Sequence, residues 1–351
     1  MNLANWAVCL GIIGLAPYLK GAPVSFDRQV RPILTANCYQ CHGPDGDSRK
    51  GDLRLDVEAD ARPALKEVLS RIMHAEADER MPPAKSGKKL SAAEIATLRN
   101  WIEQGAKWEE HWSVTPLRRP ATPKLPSPQA DWARNPIDLF IRSKHLEIGV
   151  APSAEADNRT LIRRMTFDLT GLPPTPEEIA AFEKATEANR DQAIAALADR
   201  LLASPRYGER WGRHWLDVVK YADTCGYDKD KLRPNAWPYR DYVIRSFNEN
   251  KPYARFVQEQ IAGDALFPNT ADGILGLGFI AAGPWDFIGH VEVSENKIDG
   301  RVARHIDRDE MVSNTLNPFT SATIQCARCH DHKFDPYTQQ HYYSLQSVFA
   351  A

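Results

Sequence analysis

Apolar side chains recur at three- and four-residue intervals through most of the chain, the period of amphipathic helices. Phe26, Val30, Ile33 and Leu34 share one such face, and Leu65, Val68, Leu69, Ile72 and Met73 a second. A third runs from Ser91 to Trp101, opened by the capping pair Ser91 and Glu94 and closed near Gly105. Between 116 and 128, Pro116, Pro120, Pro123, Pro126 and Pro128 favour extended chain over helix and mark a boundary. Beyond it the helical period returns. Thr175-Pro176-Glu177-Glu178 is a capping box with Pro at the first helical position, leading into Ile179 and Phe182. Ile194, Leu197, Leu201 and Leu202 follow, then Trp211, Trp215, Val218 and Val219, then Tyr242, Ile244, Phe247, Phe256 and Ile261. No internal repeat or low-complexity tract interrupts the pattern. The expected fold class is mainly α, a small three-helix domain followed by a larger, predominantly helical one.

With 351 residues the chain has the length of about two domains. Apolar residues at 43% and charged residues at 26% match folded globular proteins, which excludes wholesale disorder. A net charge of −2 leaves no broad positive field, so nucleic acid is not an expected partner. The N-terminus stands apart: Trp6 to Leu19 carries no charged side chain. As a helix it would span about 21 Å, too short for a bilayer and right for the apolar part of a signal peptide. Residues 1–22 are therefore expected to direct export to the periplasm or the exterior, with the cleavage position open between Ala16 and Ala22. A short buried helix or an N-terminal anchor is the alternative, and membrane association is expected only through this segment. The domains expected are 23–112, a Pro-rich linker 113–133, and 134–351.

Four of the six cysteines form two identical patterns, Cys38-Tyr39-Gln40-Cys41-His42 and Cys326-Ala327-Arg328-Cys329-His330. Both read CxxCH, the attachment signature of c-type haem, and at this composition one such pattern should arise by chance on the order of 0.003 times. Two cysteines three apart can reach the vinyl groups on one edge of a haem, and the adjacent His offers its imidazole to the iron. Zinc would not require His after each second Cys, and a thiol redox pair would be expected near a βαβ pattern that is missing here. Two covalently bound haem c groups are thus expected, on Cys38 and Cys41 with His42 and on Cys326 and Cys329 with His330. For the first, Met73, His74 and Met81 are candidate sixth ligands. Met73 belongs to an apolar stripe and reads as core, whereas Met81 stands in Arg80-Met81-Pro82-Pro83, where two prolines fix the backbone, and is preferred.

Residues 25–112 resemble the planctomycete-type cytochrome c domain. The resemblance rests on the first CxxCH, Gly51-Asp52-Leu53-Arg54-Leu55-Asp56, Arg80-Met81-Pro82-Pro83, Trp101-Ile102-Glu103-Gln104-Gly105-Ala106-Lys107-Trp108 and His111-Trp112. The remainder resembles the helical domain of unknown function that accompanies it, through Asp168-Leu169-Thr170-Gly171-Leu172-Pro173-Pro174, Arg210-Trp211-Gly212-Arg213-His214-Trp215-Leu216-Asp217, Gln260-Ile261-Ala262-Gly263-Asp264 and Cys326 to Pro336. The resemblance implies a class I-like cytochrome domain in an exported haem protein and no transferable activity. Such proteins usually continue into another long domain, so a short member or a fragment is expected here.

For the second haem the far-side ligand stays open among His214, His290, His305, His341 and Met311, or an open position; His332 is too close to His330 and reads as a hydrogen-bonding group or a partner of a haem propionate. Cys225 reads as a small buried side chain. Asp223, Asp228 and Asp230 lack EF-hand spacing and read as a solvated acidic loop. Asp264, Asp286, Glu292 and Glu295 show no recognisable acid/base pair. Two functions fit: electron transfer with a redox partner protein or a small-molecule donor or acceptor, or a haem-dependent oxidoreductase with the second haem as reaction centre.

Overall fold

The computed structural model describes residues 23–227 and 229–350, with Trp112 as backbone only. The apolar leader at 1–22, with Cys9, and Asp228 of the acidic loop lie outside the described residues. Among those described, fifteen α-helices joined by short 3-10 and π turns account for the regular structure; an isolated antiparallel bridge, Thr224 to Leu232, is the extended pairing present. The mainly α expectation holds. The chain divides into two compact units, 1–114 and 115–351.

In the first unit, α1 (Arg31–Asn37), α2 (Tyr39–His42), α3 (Glu58–Ile72) and α4 (Ala92–Glu103) surround one core. A π-type turn, Phe26–Val30, runs directly into α1 and carries the first apolar stripe, so Phe26, Val30 and Leu34 are buried. Ser91 and Glu94 cap α4 reciprocally, and Gly105, at φ +98°, ends that segment. Phe26, Trp101 and Trp108 pack with ring centroids 4.4–5.3 Å apart, and the Trp101 indole N–H donates to the Lys107 carbonyl (3.0 Å). Met73 is a correction: it follows the end of α3, is 47% exposed, and its Sδ lies 3.2 Å from Arg99 Nη2 instead of in the core.

The second unit begins with α5 (Pro136–Glu147) and continues with α6 (Asn158–Thr170), α7 (Pro176–Ala188) and α8 (Arg190–Leu202), which bury Ile162, Phe182, Leu197 and Leu201 between them. Next come α9 (Pro205–Val218), α10 (Trp237–Asn248), α11 (Tyr253–Leu266) and α12 (Ala271–Leu275), around Val219, Tyr239, Tyr242, Val243 and Phe256. The stripe from Tyr242 to Ile261 thus belongs to two helices, broken at Lys251-Pro252. Helices α9 and α10 approach closely because Gly208 has no Cβ; one there would stand 2.3 Å from the Ile244 carbonyl oxygen. Finally α13 (Phe287–Val291), α14 (Ile298–Thr320) and α15 (Gln339–Val348) follow, with Val312, Ile324, Ala327 and Tyr342 buried where α14, a 3-10 turn and α15 meet.

Candidate functional site

Around the first CxxCH the chain makes one helical turn: the N–H groups of Cys41 and His42 both donate to the Cys38 carbonyl, at 3.1 and 2.9 Å. That turn puts the two thiols on one side. The following loop returns over the motif, with Lys50 N–H on the Cys41 carbonyl and Leu55 N–H on the His42 carbonyl, both at 2.8 Å. These residues open onto a cavity of about 320 Å³ whose walls are mostly apolar, with Leu53, Leu55, Val68 and Ile72 contributing. Met81 lines the same cavity, held by its backbone N–H on the Arg71 carbonyl (3.0 Å) at the end of α3. Cys38, Cys41, His42 and Met81, forty residues apart in sequence, therefore border one space. His74 and Met73 line a neighbouring cleft of about 490 Å³, which also reaches Met81.

The donor set fits a covalent haem. His42 Nδ1 is buried and has no hydrogen-bond partner within the protein. Burial lowers the His42 pKa against the opposing backbone of Lys50 and Leu53, which favours the neutral ring, the form that ligates a metal. Burial also pushes the Cys38 thiol up to about 12, against the lowering effect of Lys88. A thiol so firmly protonated is a poor redox nucleophile, which weighs against a thioredoxin-like use of this pair.

The second motif is built differently. Ile324 to Arg328 form a 3-10 turn, in which residues three apart share a face. Ile324 and Ala327 point into the core, and Cys326 and Cys329 are exposed. His330 is exposed too, and its Nδ1 lies 2.8 Å from the Asp331 carbonyl, which takes the Nδ1 proton and leaves the Nε2 lone pair free for a metal. The turn is anchored by Arg328 Nη1 on Asp309 Oδ2 of α14 (3.2 Å) and by Gln339 Nε2 on the Arg328 carbonyl (3.1 Å). Two thiols on one face and an imidazole with a free Nε2 suit haem attachment at the surface.

His332 holds the segment that follows. It is buried, its Nδ1 accepts the N–H groups of Phe334 (3.0 Å) and Asp335 (2.7 Å), and its Nε2 lies 2.9 Å from Thr323 Oγ1. Its own N–H donates to the Tyr337 carbonyl (2.8 Å). Replacing His332 by Ala leaves two backbone donors without their acceptor, and the expected loss is about 2–4 kcal/mol. A lowered denaturation midpoint together with faster proteolysis within 323–337 is the measurement; an unchanged midpoint would contradict it.

The far-side candidates separate on inspection. His214 lies exposed on α9, its ring 5.5 Å from that of Trp211. His290 has both ring nitrogens engaged, Nδ1 on the Asp286 carbonyl and Nε2 on Asp307 Oδ2, each at 2.7 Å. His305 Nδ1 meets Gln346 Nε2 (3.3 Å), and His341 Nδ1 accepts the Thr338 N–H (3.3 Å) at the start of α15. Met311 lines a cavity of about 250 Å³ with Asp307 and Trp285.

The His290–Asp307 pair was not visible in the sequence, because its members come from α13 and α14. Burial raises the Asp307 pKa despite the nearby His290. The carboxylates considered earlier serve other ends: Asp286 caps α13, Glu292 meets Lys229 (2.9 Å), Glu295 meets Arg304 (2.7 Å), and Asp264 accepts the Ala265 N–H. Cys225 is buried, as a small apolar side chain would be.

No curated protein and no solved structure matches the chain. The model of the Planctomycete cytochrome C family matches residues 38–85, the stretch that holds the first CxxCH and Met81, and supports a cytochrome c-like electron-transfer role. A second model, described as a protein of unknown function (DUF1549), matches residues 136–351. That match spans more than half of the chain, which therefore belongs to the DUF1549 family and carries a Planctomycete cytochrome C domain ahead of it.

Proposed function

We propose that this chain is an exported dihaem c-type cytochrome. In this reading Cys38 and Cys41 would hold the first haem, with His42 and Met81 as its iron ligands, and Cys326 and Cys329 would hold the second, with His330 as iron ligand. The observation that carries it is the apolar cavity bordered at once by both thiols, by His42 and by Met81. Bound haem supplies a one-electron carrier; the protein excludes water from it and sets its potential. Leu53, Leu55, Val68 and Ile72 provide the dry wall, and the Arg71 carbonyl holds Met81 at the rim. Electrons pass to a redox partner protein or a small-molecule donor or acceptor, with no role for nucleic acid. The leader at 1–22 directs the chain to the periplasm or the exterior.

Met81→Ala tests the ligation. The weak long-wavelength absorption of Met-ligated ferric haem should disappear, and the potential of that centre should fall by about 0.1–0.3 V, within the roughly 0.8 V range that axial ligands span. An unchanged spectrum refutes Met81 as ligand.

A second reading, in which the second haem is a reaction centre, draws on the exposure of Cys326, Cys329 and His330, residues that would hold a haem at the protein surface. Cyanide or carbon monoxide binding to one haem would favour it; two haems that ignore both ligands would leave electron transfer alone.

A further inference from the structure

The second unit contains a cleft of about 510 Å³ between the last turns of α6 and the middle of α9. Arg163, Arg164 and Arg210 all line it, together with Phe167, Asp168 and Gly171. Among the described residues, none of the three guanidinium groups has a carboxylate within ion-pairing distance. The Nε of Arg210 is buried and without a hydrogen-bond partner. Three guanidinium groups without a carboxylate partner around one cleft suit an anion that enters it.

The placement of Arg210 is built into the fold. Gly171 ends α6 in the left-handed conformation, φ +74°, with its N–H on the Phe167 carbonyl (2.9 Å). A Cβ at 171 would stand 3.1 Å from Arg210 Cδ, a tight contact that the bare glycine avoids where the arginine stem crosses the helix end. Asp168 and the carbonyl end of α6 oppose an anion, but three guanidinium groups outweigh one carboxylate and a partial helix charge of about half a unit. Arg163 lies over the Phe167 ring, 6.0 Å from its centroid, and Phe167 is 40% exposed, giving the cleft an apolar shoulder.

We propose that this cleft binds an oxoanion of the phosphate or sulfate class, free or as the head of a small ester. Arg210 offers its fork from the floor, and the exposed Arg163 and Arg164 add charge from the rim.

Titration calorimetry of the full chain with sodium phosphate and with phenyl phosphate, against sodium chloride at equal ionic strength, tests this. Both phosphates should bind where chloride does not; equal affinities assign the site to a free oxoanion, and tighter phenyl phosphate assigns it to an ester whose body rests on Phe167. Arg210→Gln should weaken binding on the order of tenfold or more, and Arg210→Lys should not restore it, because a point charge lacks the fork. Asp168→Asn should tighten binding, an effect that a purely structural cleft would not give. The pair Arg163→Gln and Arg164→Gln, on exposed positions that leave the fold intact, carries the test even if Arg210 variants fail to fold. Phosphate heats no larger than those of chloride, or arginine variants that bind as the parent does, would overturn the proposal.

Discussion

Replacing Cys38 and Cys41 by Ser should remove one covalently bound haem from each chain and leave the other in place; the matching change at Cys326 and Cys329 should remove the second. Intact mass and a pyridine haemochrome assay, on protein made with the cytochrome c maturation machinery, read the result directly. The two variants should also differ in what remains. With only the first site filled, the spectrum should show the Met-ligated ferric band, because Met81 borders the cavity of Cys38, Cys41 and His42. With only the second filled, that band should be absent. Loss of both haems from either variant would mean that the two centres do not form independently. A parent protein with one haem would reassign the second motif, whose thiols stand exposed on a 3-10 turn and remain available for other chemistry.

Local chemistry was legible in the sequence, and long-range chemistry was not. The CxxCH spacing needs only one turn of helix to act, so it can be read without a fold, and the capping boxes at Ser91 and Thr175 are equally local. Met81 stands out in the sequence because two prolines set it apart from any apolar stripe, and its side chain lines the cavity of the first motif. Met73 misled because it continues the spacing of α3 one residue beyond the helix end, where the chain turns outward. The His290–Asp307 contact, the arginine cleft and the buried cluster of Lys251, Glu259 and Asp272 all join side chains from separate segments. No periodicity announces such meetings.

A large stability effect is expected at Glu259, whose side chain is only 2% exposed. Lys251 Nζ approaches Glu259 Oε2 at 2.6 Å, Arg255 Nε approaches Oε1 at 2.6 Å, and the Tyr242 hydroxyl donates to Oε2 at 2.8 Å. Lys251 also reaches Asp272 Oδ2 at 2.8 Å, tying α11 to α12. Burial alone would raise the Glu259 pKa, but these three donors together hold it below its ordinary value of 4.5. With a folded-state pKa below the unfolded one, the ionised carboxylate stabilises the fold fully above about pH 5, and that contribution is lost as pH falls through the lowered folded value. Glu259→Gln removes the charge that Lys251 and Arg255 face, and the expected cost at pH 7 is about 3 kcal/mol, in the range for breaking a buried pair from one side. Lys251→Met should cost a similar amount, and the double variant less than both together, because the two changes remove the same contact. Urea denaturation from pH 3 to pH 8 should show the gap between the parent and Glu259→Gln closing as pH falls. A gap that stays constant across that range would mean that shape and hydrogen bonding, not the carboxylate charge, hold these helices together.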